Sequence, residues 1–482
     1  MPFTTITSRR ALVFNLVAAL FTGWLLRFVV GLEPVWWLVW LVPAFLLWLA
    51  LRLDGHQARW LVILASAIGA TANLPYYRLV MPDVAAVAVL GAQTLLWSFT
   101  VMASRRVILR YRSWWTVVVY PVLWVALDTL MATLLPDGNW NSLAYSQATV
   151  LPLLQVTALG GVAGLLFLVT LVPAALALGC TYGRRLPCGY LAYAAPVLFT
   201  LMAYGYGSWR LRQPVTGAST TFGLASIDDA IGRQATTAYT ANILQHYEAH
   251  VARLAAQGAQ VVVLPEKIAD LSPGQVPGWQ HRFSRWAARN RVWLEAGIGL
   301  DNSGEQTNLA WLFAPDGRLS AVYQKHFLAP PERDFTAGTL YSVRTIAGLH
   351  YGLAICKDMH FATLGRAYGS RRAAVLLVPA WDFDLDAALA ARMTATRGVE
   401  NGYMVVRSSR SGWLSVSDAH GRFIARRASS AIPGSTLLVN TPVPQQLPTL
   451  YTRTGNVLGW LCVLAGAGFL LAGRRGRGTP AR

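Results

Sequence analysis

Eight apolar runs constrain this chain more than any other feature: about 11–30, 34–51, 60–77, 81–103, 114–136, 150–179, 188–207 and 456–473. Each is near or above the roughly 20 residues that a helix needs to cross a bilayer. Inside hydrocarbon the backbone must satisfy its own hydrogen bonds, so such runs are read as membrane helices. The third and fourth are the weakest, because Asn73, Pro75, Arg78 and Pro82 crowd their junction. The first is not a cleavable leader, since no small-residue cleavage site precedes the second. Asp128 is the clearest ionisable residue within a run and is expected to face a packed interior.

The basic residues alternate from loop to loop. Arg9 and Arg10, Arg52 and Arg59, Arg105, Arg106, Arg110 and Arg112, Arg184 and Arg185, then Arg474, Arg475 and Arg477 fall on one side. The opposite loops carry Arg78, and Arg210 with Arg212. Arginine retained on the cytoplasmic side sets both chain ends inside and residues 214–448 outside. This topology also accounts for the net charge of +19, which would otherwise suggest nucleic acid. Nucleic-acid binding needs a basic face on a folded domain, and is not expected. Three parts follow: a seven-helix transmembrane domain (1–213), a catalytic domain (214–448), and a last membrane helix with a basic tail (449–482).

Between 214 and 448 short β runs alternate with helical stretches. TFGLASI (221–227), VVVLP (261–265), VWLEAGIGL, TNLAWLFA, LSAVYQ, HYGLAIC and AAVLLVPA (373–380) read as strands, 234–257 and 384–402 as helices. That interleaving indicates a layered α/β domain. Three residues stand at strand ends, where functional groups of such folds collect: Glu266 after VVVLP, Lys325 after AVYQ, Cys356 after GLAI. A carboxylate to take a thiol proton, a thiolate to attack a carbonyl and an ammonium to hold the oxyanion make up acyl transfer through a thioester. Singly, each has a plainer reading: a free cysteine is more often a small buried hydrophobe, and the charges are ordinary strand-end residues. Lys267, Lys325 and Lys357 are the only lysines among 41 basic residues. The other cysteines, Cys180, Cys188 and Cys462, lie in or beside apolar runs, and the spacing fits no metal site. No metal or organic cofactor is expected. His326 and His360 read as structural.

LPE (264–266), YQK (323–325) and AIC (354–356), in that order, resemble the nitrilase superfamily, whose fold is an αββα sandwich. FAPDGRLSAVYQKHFL, the Arg397-x-x-Glu400 helix and DAHGRF are similar to further segments of it. NWNSLAYSQATVLPLLQVTALGGVAGLLFLV, with Trp140, Tyr145, Ser146, Gln147, Gln155, Gly160 and Gly164, resembles the membrane half of the apolipoprotein N-acyltransferase family. The resemblance implies Glu266 as general base, Cys356 as nucleophile and Lys325 as oxyanion stabiliser, with Glu332, Asp358, Arg397 and Glu400 as supporting residues. It implies a monomer in the bacterial inner membrane, with a phospholipid as acyl donor and a diacylated lipoprotein as acceptor. The alternative is a membrane-anchored amidase using water. The chain departs from the family in Lys357 and Asp358 after the nucleophile, where an aromatic and a glutamate are usual. It departs again in APPE before Arg333, in Trp381 and Asp382 after the strand of AAVLLVPA, and in Arg410. Lys357 is expected to put a second cation beside the nucleophile and favour its thiolate.

Overall fold

The computed structural model describes residues 9–302 and 304–474, the side chain of Arg474 excepted; Arg475 and Arg477 of the basic tail lie outside the described residues. Helices occupy all eight apolar stretches. Four segments, Arg9–Val30, Asp83–Tyr111, Trp114–Leu134 and Thr157–Arg185, are long and apolar enough to cross a membrane by length and composition. Leu38–Arg52 and Val457–Gly473 are shorter and apolar. The third stretch breaks where its sequence is weakest: Gly55–Ala70 ends in a 3-10 turn at Thr71–Asn73, and Leu74–Val80 restarts with Pro75 in its first turn. Asp128 is buried and accepts a hydrogen bond from Asn139 Nδ2 at 2.6 Å.

The two ends of the bundle differ. At one, Arg105 donates to the carbonyls of Ala50 (2.7 Å) and Leu53 (2.8 Å), and Arg106 lies against Gly473, so the arginine-bearing loops gather. At the other, the Val30 carbonyl accepts from Asn73 Nδ2 (2.8 Å) and Asn141 Nδ2 (2.6 Å). This second end meets the α/β domain, where Arg392 donates to the Leu32 carbonyl at 2.9 Å.

The α/β domain is a four-layer sandwich. One sheet contains β1 (Ala218–Ser226), β2 (Val261–Val263), β3 (Asp270–Leu271), β4 (Trp293–Asn302), β5 (Glu305–Phe313) and β6 (Leu319–Gln324), and also β13 (Ser435–Val443). Its order is β13-β1-β2-β4-β5-β6, with β3 paired to β4. The other contains β7 (Ser342–Ile346), β8 (Leu349–Leu353), β9 (Val375–Trp381), β10 (Met404–Arg410), β11 (Trp413–Ser417) and β12 (Phe423–Ala428), in the order β12-β11-β10-β9-β8-β7. The apolar runs of β2 and β9 are buried on both faces, as parallel strands between layers require. Phe222, Leu224, Val263, Leu353, Leu377 and Val406 fill the space between the sheets. Helices Thr237–Ala256 and Val276–Asn290 cover the first sheet through Tyr247, Val251, Phe283 and Trp286. Ala362–Ser370 and Ala387–Asn401 cover the second.

Ala387–Asn401 is unusual in burying 14 of its 15 residues, every one but Arg392. Its far face packs on the membrane helix Thr157–Tyr182. That helix breaks at Gly161 (φ 64°), which leaves the Val162 N–H without an intrahelical acceptor. Glu400 Oε1 accepts it at 2.9 Å, while Arg397 pairs with Glu400 at 2.7 Å and donates to the Tyr145 hydroxyl at 2.6 Å. Arg397 and Glu400 therefore join the two halves of the molecule.

Candidate active site

Glu266 lies just past β2, and Gly297 of β4 lets it in: a Cβ there would come within 2.5 Å of Glu266 Cα and 2.6 Å of the Pro265 carbonyl. Lys325 follows β6, its N–H bonded to the Asn308 carbonyl at 2.9 Å. Lys325 Nζ stands between two carboxylates, 2.7 Å from Glu266 Oε1 and 2.7 Å from Glu332 Oε2. Asn308 Nδ2 bridges the same pair, 2.6 Å from Glu266 Oε1 and 2.6 Å from Glu332 Oε1. All four residues are buried. Burial alone would lower the Lys325 pKa, but Glu266 and Glu332 hold it well above the usual lysine range. Burial pushes Glu332 up, and Lys325 more than offsets this, so its carboxyl stays below the usual range. Glu266 Oε2 has no hydrogen-bond partner within the protein among the described residues.

Cys356 sits in the turn after β8 with φ 44°, a left-handed conformation that a non-glycine residue holds only when its surroundings impose it. Asp358 imposes it. Its Oδ2 accepts from the Ile355 N–H (2.9 Å) and the Tyr323 hydroxyl (2.7 Å), and its Oδ1 accepts from the N–H groups of His326 (3.1 Å) and Phe327 (2.9 Å). The cysteine turn and the segment after Lys325 are thereby tied together by one buried carboxylate. Cys356 Sγ is half-buried and donates to the Trp381 carbonyl at 3.4 Å. Burial and the Glu266 charge raise the thiol pKa well above its ordinary value, against the opposing pull of Lys325. A thiol raised in this way needs a base to take its proton before it can react as a thiolate. His360 stays neutral, its pKa pushed well down by burial and then by Lys357.

Lys357 departs from its sequence expectation. Its Nζ turns to Asp137 Oδ1 (2.5 Å) and the Leu328 carbonyl (2.7 Å) instead of the thiol. Arg333 holds the other oxygen of Asp137 at 2.7 Å. Asp137 belongs to the loop after membrane helix Val119–Leu134, so Lys357 ties the Cys356 turn to the membrane half.

Glu266, Lys325, Glu332 and Cys356 line one cavity of about 790 Å³. Its remaining wall includes Tyr77, Met81, Leu96, Trp97, Trp124 and Met131 from the membrane half. Arg397, Glu400 and Asp358 do not line it. Sequence reading passed over Asn308, Asp137 and the Asp382–Arg407 pair, in which Arg407 grips both carboxylate oxygens of Asp382 at the cavity wall. Asn308 carried a signal, as a polar side chain in step with Ala310 and Leu312 on the inward face of β5 and flanked by the apolar run that follows it.

Residues 230–432 match the carbon-nitrogen hydrolase family, and residues 11–175 match the apolipoprotein N-acyltransferase N-terminal domain. An apolipoprotein N-acyltransferase of Geobacter metallireducens is 27% identical over 73% of this chain and 73% of its own. One of Gloeobacter violaceus is 29% identical over 74% of this chain and 72% of its own. An omega-amidase of Homo sapiens is 28% identical over 32% of this chain and 64% of its own. Among solved structures, an amidase from Nesterenkonia sp. is 20% identical, covering 50% of this chain and 94% of that one with a TM-score of 0.42.

Proposed function

Because the chain belongs to the apolipoprotein N-acyltransferase family of the carbon-nitrogen hydrolase superfamily, we propose that it carries an acyl chain from a phospholipid, through a thioester on Cys356, to the α-amino group of an S-diacylglyceryl-cysteine lipoprotein. One observation carries the reading: a single cavity holds Glu266, Lys325 and Cys356 at one wall and apolar side chains of the membrane half at another. A lipid enters such a cavity without exposing its chain to water, which would cost about 0.8 kcal/mol per CH₂.

In the first half-reaction Glu266 takes the Cys356 proton as the sulfur attacks the ester carbonyl. The C–S bond forms, the ester C–O bond breaks, and the lysophospholipid oxygen leaves with the proton from Glu266. In the second, the acceptor nitrogen attacks the thioester carbonyl and gives its proton to Glu266. The C–N bond forms, the C–S bond breaks, and the sulfur recovers the proton. Lys325 has three N–H donors and spends two on Glu266 and Glu332, which leaves one for the tetrahedral oxyanion. Glu332 and Asn308 hold the ammonium in place.

The α/β domain faces outward from the bacterial inner membrane in this reading. Support comes from the end of the bundle where the arginine-bearing loops gather, which is opposite the end that meets the domain.

The test is mass spectrometry of the full chain after incubation with phospholipid, comparing wild type with Cys356→Ala. A fatty-acyl adduct on wild type alone, discharged by a diacylated lipopeptide, is the expected result. An adduct that discharges only to water would make the enzyme a hydrolase. Absence of any adduct on folded protein would refute the phospholipid donor.

A further inference from the structure

Almost every carboxylate that the α/β domain turns to the cavity has a bonded cation. Glu266 and Glu332 share Lys325, and Asp382 is gripped by Arg407. Asp137, from the membrane half, has Lys357 and Arg333. Asp386 differs. It lines the same cavity as Tyr76 and is 4% exposed, and it accepts a hydrogen bond from the Phe383 N–H at 2.9 Å. No cation bonds to it among the described residues; Arg407, the nearest by charge, is committed to Asp382. Asp386 stands at the start of helix Ala387–Asn401 yet accepts no N–H from that helix, so its carboxylate is not serving as a cap. Aromatic rings wall it in: Tyr76 stacks on Trp140 with centroids 4.6 Å apart and meets Phe383 edge-on at 6.3 Å. Trp140 and Phe383 line the cavity beside Cys356.

A buried carboxylate without a counter-charge is costly, and a cation arriving with the substrate removes that cost. Ring faces around the carboxylate add attraction for an ammonium in a site closed to water. We propose that Asp386, walled by Tyr76, Trp140 and Phe383, is the subsite for a primary ammonium group of the substrate. This rests on the acyl-transfer reading. Two groups in that reaction carry such an ammonium: the α-amine of the acceptor, which releases one proton to solvent before it attacks as the neutral amine and gives the second to Glu266, and the ethanolamine headgroup of a donor phospholipid. Tyr76 comes from the membrane half and Asp386 from the α/β domain, so the subsite forms at the seam where a lipid-anchored amine would enter.

Asp386→Asn removes the charge and keeps an acceptor for the Phe383 N–H. The full chain in lipid nanodiscs is treated with iodoacetamide, and Cys356 alkylation is followed by peptide mass in the presence of octylammonium or octanol. Octylammonium is expected to protect wild type at a concentration at least tenfold below octanol, and Asp386→Asn is expected to abolish that difference. Equal protection by both compounds, or a difference that survives the substitution, would overturn the proposal. Single-turnover kinetics then separate the sources. Slower acylation from phosphatidylethanolamine, with phosphatidylglycerol unaffected, assigns the subsite to the donor headgroup. Slower discharge by the diacylated lipopeptide alone assigns it to the acceptor. An equal loss in all three steps means a structural role and overturns it. Wild type that forms no acyl-enzyme would refute the transferase reading, while the protection assay still decides the subsite.

Discussion

Lys357, the residue after Cys356, places its ammonium 2.5 Å from Asp137 of the membrane half and makes no hydrogen bond to the thiol it adjoins in sequence. The pair is unequal: the Lys357 side chain is 6% exposed and that of Asp137 is 42%. Removing the outer partner leaves a buried cation with only the Leu328 carbonyl, whereas removing the inner one leaves a carboxylate that water and Arg333 can satisfy. Asp137→Ala is therefore expected to destabilise by about 1–2 kcal/mol, and Lys357→Met by less. Acyl-enzyme formation should fall more in Asp137→Ala than in Lys357→Met. Thermal unfolding and single-turnover acylation of both variants check the order, and the reverse order would make Lys357 part of the reaction.

Asp358 stands where the family carries a glutamate, and its four accepted hydrogen bonds show that the shorter side chain fits its own cradle. Asp358→Glu, although it restores the family residue, forces an extra methylene into a fully buried site, at about 1–3 kcal/mol. The expected outcome is a lower melting temperature and slower acylation, because the left-handed turn at Cys356 loosens. Asp358→Ala, which orphans three backbone N–H groups, should be worse. A more active Asp358→Glu would mean that the turn is held by something else.

The α/β layers were legible because β2 and β9 are short continuous apolar runs, the pattern of a parallel strand buried on both faces. Glu266, Lys325 and Cys356 announced themselves as chemistry-bearing residues at strand ends. β7 was missed, since SVRTI has too few apolar residues to alternate visibly. Trp140 and Asp137 lie in an irregular link between membrane helices, and Tyr76 in the seven-residue helix Leu74–Val80, where no period long enough to read reveals which side chains face a cavity. Asp386 read only as the start of a helix. Its significance depends on which carboxylates find cations, a property of the folded chain and not of any local segment.

Gly161 and Tyr451 show how tightly the membrane bundle fits the short helix Leu450–Thr454 that leads into its last helix. A Cβ on Gly161 would stand 2.3 Å from the Tyr451 ring, and its backbone (φ 64°, ψ −165°) lies in a region essentially reserved for glycine, which alanine would enter at a cost of about 1–3 kcal/mol. Gly161→Ala is expected to lower the melting temperature and to slow acylation, although Gly161 does not line the cavity. Adding Tyr451→Ala should restore part of the loss, since it relieves the clash and leaves the backbone strain. Full recovery in the double variant would mean that the left-handed break is not required.

Asp386 gives a pH dependence with a definite sign. Burial, and then the charge of Asp382, raise its carboxyl pKa to about 6, while in the unfolded chain it titrates at about 3.9. Between these values the native state holds a proton that the unfolded state has released, so stability falls as pH rises through the window and is fully present only below it. Wild type is expected to lose about 1–3 kcal/mol of stability between pH 4 and pH 6 from this group. Asp386→Asn should flatten that part of the profile and melt above wild type at pH 7. Octylammonium, by supplying the missing counter-charge, should raise the wild-type melting temperature at pH 7 and leave Asp386→Asn unmoved. A variant that melts below wild type at neutral pH would show that the carboxylate is compensated in the resting protein, and the reason for reserving it for a cationic substrate group would be gone.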